Sequence, residues 1–127
     1  GGGGGGGSAT LTATAGKDIL IGLGGREDTF VFTLGEESGA GSGFNPITLM
    51  GNAMGADEIV NFDPADGDKI KIMDSGSPLA PADAVSLLSV MSSGGMHATY
   101  VTGSSGVMFV SSQPELENVL EANFTAV

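Results

Sequence analysis

The sequence contains no cysteine and no tryptophan. Without cysteine there is no disulfide framework, no thiolate nucleophile and no thiolate metal site. It has one histidine, His97, so a structural zinc site, which is built from Cys and His ligands, is nearly excluded. Only four residues are basic against fifteen acids, a net charge of −11. A nucleic-acid partner needs the opposite sign, and an anionic membrane surface would repel the chain. No apolar run approaches the ~18 residues that cross a bilayer as a helix, so no membrane insertion is expected. The chain opens with neither an initiator Met nor a basic, apolar leader, as a fragment or a processed or engineered product would. Its 127 residues fit one domain with a modest core.

Catalytic signatures are missing too. There is no G-x-S-x-G elbow, no H-E-x-x-H pair and no P-loop. His97 has no second histidine with which to build a triad. Paired acids do glycosidase work only at set separations across a cleft, and nothing in a Gly-rich chain of this length points to one. A non-enzymatic role is expected.

What the chain has is glycine and acid. It holds 23 glycines, 15 of them in the first 43 residues, including the run Gly1–Gly7. They follow no three-residue period, which rules out collagen. Short β-prone pieces lie at Ala9–Ala13, Ile19–Ile21 and Thr29–Leu34. Residues 44–55 mix polar, apolar and turn residues and are expected to form an excursion loop. Glu58–Phe62 and Lys69–Met73 read as strands around an acidic turn, Asp63 to Asp68. Ala82–Met91 carries Val85, Leu88 and Met91 at helical spacing, after Pro81 and Asp83 at a helix start. Met96–Val101 and Gly106–Val110 form a hairpin pattern across Thr102-Gly103-Ser104-Ser105. Glu115–Ala122 suits a helical turn or two, and residues 123–127 an added strand or a segment docked on the sheet. The class is mainly all-β, with one or two short helices.

A repeat organises the front of the chain. Asp18 and Leu20 follow Gly16, and Asp28 and Phe30 follow Gly24-Gly25. The unit is a Gly-rich turn, then Asp-x-(large apolar). Residues 4–12, 13–21 and 22–31 fit it in succession, with Ala9 where the first unit lacks its Asp. Glycine allows the positive φ of a tight turn. The Asp supplies a carboxylate to a hard cation, and the apolar residue points into a thin core. Stacked turns of this kind gather carbonyl and carboxylate oxygens for Ca²⁺, which takes six to eight. The fold predicted is a short parallel β-roll. Leu11, Leu20 and Phe30 are expected in its core. Turns sharing a cation lie on the same edge, so residues 4–12 should pair with 22–31. Asp18 then has no same-edge partner among the repeats. The candidate metal ligands are Gly16, Asp18, Gly24, Gly25 and Asp28, with Asp63, Asp66 and Asp68 as a second group. The alternatives are Asp residues that cap their own turns and an acidic turn that is merely solvated.

At these residues the chain resembles the RTX family, the hemolysin-type calcium-binding repeats. Asp28-Thr29-Phe30-Val31-Phe32 is similar to the D-T-F-V-F that closes RTX arrays in serralysin-like C-terminal domains. Asp57 to Asp63, followed by Gly67-Asp68-Lys69-Ile70-Lys71-Ile72, is similar to the segment that comes next there. Asn61 and Lys71 stand where the family carries acids. The resemblance covers most of residues 13–127, leaving 1–12 as a Gly-rich segment or degenerate repeat. It implies a β-roll running into an antiparallel, β-sandwich-like C-terminal part. It also implies export by the bacterial type I secretion machinery, a transient partner, and folding on Ca²⁺ outside the cell. The export signal would lie in Glu115–Val127, with Glu115, Leu116, Val119, Leu120, Phe124 and Val127 as its residues. A secreted, extracellular or cell-surface location follows. The other role considered is a self-assembling surface protein on the same exported fold: an S-layer, adhesin or filament subunit. A third reading is an inert globular β domain with an accidental repeat.

Overall fold

In the computed structural model, residues 7–127 are described. Gly1–Gly6 of the heptaglycine run lie outside the described residues. The protein is mostly β, with two mixed sheets and two α-helices.

The Asp-x-(apolar) units start the strands. β1 is Ser8–Thr12, β2 Ile19–Ile21 and β3 Glu27–Thr33. β4, Asp57–Val60, and β5, Lys69–Asp74, follow the first helix. These five strands alternate between the sheets. β1, β3 and β5 lie side by side and parallel in the first. β2 and β4 pair in parallel in the second. Each glycine turn therefore carries the chain across the thin core to the opposite sheet. Gly16 and Gly25 have φ of +88° and +76°, open to L-residues only with strain.

The register follows the repeat. Ala9 stands opposite Asp28 and Leu11 opposite Phe30, so the described part of the 4–12 unit pairs with 22–31 as expected. Leu20 and Phe30 are buried and Leu11 packs against them half-buried. Both sheets feed one core, which includes Phe30, Phe32, Ile70 and Ile72 from the first and Leu20, Ile59 and Phe109 from the second. Phe32 and Phe109 stack with ring centroids 4.9 Å apart.

Later elements extend this frame. β6, Ser77–Pro78, turns back antiparallel on β5. β7 (Leu88–Ser93), β8 (Met96–Val101) and β9 (Val107–Ser111) are an antiparallel meander. It continues the second sheet, because β9 pairs in parallel with β4. The expected 96–101/106–110 hairpin is present as β8–β9.

Two expectations are corrected. Residues 44–55 are not a loop, since Pro46–Ala53 form helix α1. The Asn45 side chain accepts the N–H groups of Ile47 and Thr48, and Pro46 supplies the first helical φ. Leu49 and Ala53 pack on Ala98, Val107 and Val110 of the second sheet. The helix at Ala82–Met91 is halved: α2 spans Pro81–Leu87, and Leu88 already has extended φ and ψ. Its continuation is captured by the β8 ladder, closed by Gly94 and Gly95, both at positive φ. The C-terminal stretch forms two 3₁₀ turns, Pro114–Leu116 and Glu121–Asn123. The final segment docks on the first sheet through Thr125 N to Ile70 O, 2.9 Å.

Candidate functional site

Parallel pairing puts equivalent residues of successive turns on top of one another. Two edges of the stack therefore carry aspartates in pairs. Asp28, the second residue of β3, lies beside Asp68, which precedes β5, and the Asp28 N–H donates to Asp68 Oδ1 at 2.8 Å. On the opposite edge the Asp18 N–H donates to Asp57 Oδ1 at 2.8 Å. In both pairs one strand's amide is held by the carboxylate of the neighbouring turn.

The carboxylates also close their own turns. Leu23 N–H donates to Asp28 Oδ2 at 3.0 Å. Asp63 N–H donates to Asp68 Oδ2 at 2.9 Å. Thr14 reaches Asp18 Oδ2 through its N–H and its hydroxyl, at 2.8 and 3.0 Å. Asp63 Oδ1 caps the 3₁₀ turn after it by accepting Ala65 N–H. Asp66 Oδ2 accepts Gly25 N–H at 2.8 Å, tying the acidic turn to the glycine turn beside it. The acidic turn is thus an integral part of the edge.

Charge is compensated unevenly. Asp28 is fully buried and ion-paired with Arg26 Nε. Asp68 and Asp57 are buried and form no ion pair with a base among the described residues. Burial pushes the Asp68 carboxyl above the usual carboxylate range, assisted by the charges of Asp28 and Asp66 and opposed by the Asp28 and Asp63 amides. Burial likewise raises Asp57, assisted by Asp18 and Glu36 and opposed by the Asp18 amide.

Of the candidate ligands, Asp28, Asp63, Asp66, Asp68, Gly24 and Gly25 come together at one edge, while Gly16 and Asp18 lie at the other. Asp18 is not without a partner, as the repeat alone implied: Asp57 fills that place. The signal was present, since Asp57-x-Ile59 and Asp68-x-Ile70 repeat the unit of Asp18-x-Leu20 and Asp28-x-Phe30 beyond a long insertion. Gly22, which the sequence analysis did not single out, closes the turn before Asp28. A Cβ there would lie 2.8 Å from Asn61 O and 2.9 Å from Asp28 Oδ2, so the turn closes only around a bare backbone.

Asn61, at φ +63°, donates its side-chain amide to Gly22 O at 3.3 Å. Beside it, Gln113 pairs both ways with the Phe62 backbone at 2.8 Å. These residues line an open cavity of about 410 Å³ with Gly24, Asp63 and Glu115. Among the expected export residues, Leu116 and Phe124 are buried and Val119 packs half-buried on the core. Glu115, Leu120 and Val127 are exposed. Among the described residues no three His, Cys, Asp or Glu side chains converge closely enough to hold a metal ion, and no helix is long and apolar enough to cross a membrane.

No family model, no curated protein and no solved structure matches this chain.

Proposed function

We propose that this chain is a non-enzymatic, exported module of RTX type, a short β-roll whose folding is coupled to Ca²⁺ outside the cell. The observation that carries the reading is the stacking of Asp28 on Asp68 and of Asp18 on Asp57. Alternation of parallel strands between two sheets, with a glycine turn before each Asp, is the geometry that a β-roll requires. The oxygen-only donors of both edges suit a hard cation. Ligands would come from Asp18, Asp28, Asp63, Asp66 and Asp68, with carbonyls of the turns at Gly16, Gly24 and Gly25. A bound Ca²⁺ supplies positive charge that lets stacked carboxylates stay ionised.

Without the cation, a net charge of −11 disfavours compaction. An unfolded chain leaves Leu116 and Phe124 accessible, whereas folding buries both. That difference suits an export signal read by the type I machinery before folding. The test is circular dichroism and thermal melting of the protein with Ca²⁺, with Mg²⁺ and with excess chelator. Saturation at about a hundred times Kd should add about 2.7 kcal/mol. Identical β content and Tm in chelator would remove calcium from the reading.

Self-assembly is favoured by a separate observation. β1 and β2 are outer strands of the two sheets and contain neither charge nor proline. Protected edges carry such residues to prevent pairing with another chain. Electron microscopy with and without Ca²⁺ tests it, and discrete monomers at high concentration would count against it.

A further inference from the structure

Helix α1 covers the outer face of the second sheet only in part. Leu49 and Ala53 pack there on Ala98, Val107 and Val110, in an apolar cluster separate from the core between the sheets. The helix carries a second apolar stripe beside that one. Ile47, Met50 and Met54 stand at i, i+3 and i+7, which puts them on one side of a helix. Met54 is the C-cap residue and keeps helical φ and ψ. Ile47 is 86% exposed and Met54 78%. Next to this stripe lies an open cavity of about 290 Å³, lined by Met50, Ala53, Met54, Met96 and Val110. Farther along the same face, Ile19 and Ile21 of β2 are exposed on either side of the buried Leu20, beside Glu58 and Val60 of β4. A contiguous exposed apolar patch marks an interaction surface.

The charges at the cavity select the partner. Lys17 and Glu58 both line it, and neither forms an ion pair among the described residues. Lys17 Nζ donates to the Met54 carbonyl at 2.9 Å, which leaves its charge without a counter-ion. A chain of fifteen acids and four bases thus presents one of each sign here. A purely basic or purely acidic partner would satisfy one of them and repel the other. A second copy turned about a two-fold axis satisfies both, because residue i then meets j and j meets i. The shape is self-complementary in the same way: Ile47 and Met54 project, and a hollow lies beside them. Methionine side chains adapt readily to such a filling. Repulsion between two chains of −11 is screened beyond about 8 Å at physiological ionic strength, and no acid other than Glu58 lines the cavity.

We infer that the outer face of the second sheet is an isologous contact between two copies of this chain. Ile47 and Met54 of each copy pack at the methionine-lined cavity of the other, and Lys17 of each meets Glu58 of the other. This contact uses the face of the sheet around α1. It depends neither on Ca²⁺ nor on pairing along the outer edges of β1 and β2.

Sedimentation of the whole chain from micromolar to millimolar concentration, with Ca²⁺ present, should show a monomer–dimer equilibrium. Ile47→Asp puts a charge at an exposed position and should weaken the dimer about tenfold or more. Lys17→Glu and Glu58→Lys should each weaken it alone, since like charges then face each other across the axis. An equimolar mixture of these two variants should restore a heterodimer, in which both facing pairs are again opposite in sign. Circular dichroism checks that each variant folds. If Glu58→Lys does not, Ile47→Asp and Met54→Asp carry the test. A monomer at every concentration, a dimer unmoved by Ile47→Asp and Met54→Asp, or folded single variants that stay apart on mixing would overturn the proposal. A dimer that protects the amides of β1 or β2 from hydrogen exchange, and leaves the α1 face unchanged, would move the contact to the strand edges and overturn it as well.

Discussion

Asparagine in place of Asp57 and asparagine in place of Asp68 are the same chemical change at equivalent places, yet the structure gives them different costs. Asp68 uses both oxygens, one for the Asp28 amide and one for the Asp63 amide. An asparagine there offers one acceptor and turns an NH₂ toward the second N–H. An orphaned buried donor costs about 1–3 kcal/mol, partly offset because a desolvated charge disappears. Among the described residues Asp57 accepts a hydrogen bond at Oδ1 alone, and an asparagine carbonyl replaces it. The variant at 57 also relieves repulsion from Asp18 and Glu36. Asp57→Asn should therefore fall within about 0.5 kcal/mol of wild type or gain stability, while Asp68→Asn loses about 1–2 kcal/mol. For a domain of this size that loss lowers Tm by roughly 3–10 °C.

Urea and thermal unfolding at neutral pH and fixed Ca²⁺ measure both. The pH dependence supplies a second check. Both carboxyls are raised in the folded state from a reference of 3.8, so the folded chain holds protons that the unfolded chain has released. Their unfavourable contribution is absent below the unfolded value and grows as pH rises through the folded one. The advantage of Asp57→Asn over wild type should be greatest near neutrality and shrink on acidification. Equal losses at the two positions, or an advantage that grows in acid, would refute the assignment of one used oxygen to Asp57 and two to Asp68.

Other substitutions test neighbouring claims. Gly22→Ala places a Cβ 2.8 Å from a backbone oxygen and should cost about 1–3 kcal/mol, whereas Gly24→Ala meets open space and should stay within about 0.5 kcal/mol; paired melting curves decide it. Arg26→Ala leaves the fully buried Asp28 carboxylate without its cation and should cost about 2 kcal/mol or more. If Ca²⁺ occupies that edge, the loss in Arg26→Ala should shrink as Ca²⁺ rises, which a denaturation series over calcium concentration reads directly.

The sequence alone determined the strand-forming units and their order. Local chemistry suffices there: glycine permits the turn, the Asp caps it, and alternation sends Leu20 and Phe30 inward. The pairing of the first unit with the third also followed, because a repeat of nine or ten residues returns the chain to the same sheet after two crossings. The tertiary structure decided what distance along the chain concealed. Asp57 lies 39 residues beyond the amide it holds, and only the parallel β2–β4 register brings the two together. Asn45 and Pro46 mark the start of helix α1 locally, but that Leu49 and Ala53 find Val107 and Val110 of the second sheet to pack on is a tertiary fact that residues 44–55 do not carry. Leu88 to Met91 satisfy a helical period equally well, and became strand because β8 stood ready to take their backbone hydrogen bonds. The acids were legible as a charge of −11. Which of them are buried, and which carboxylates hold the amide of a neighbouring turn, depended on the stacking of turns drawn from distant parts of the chain.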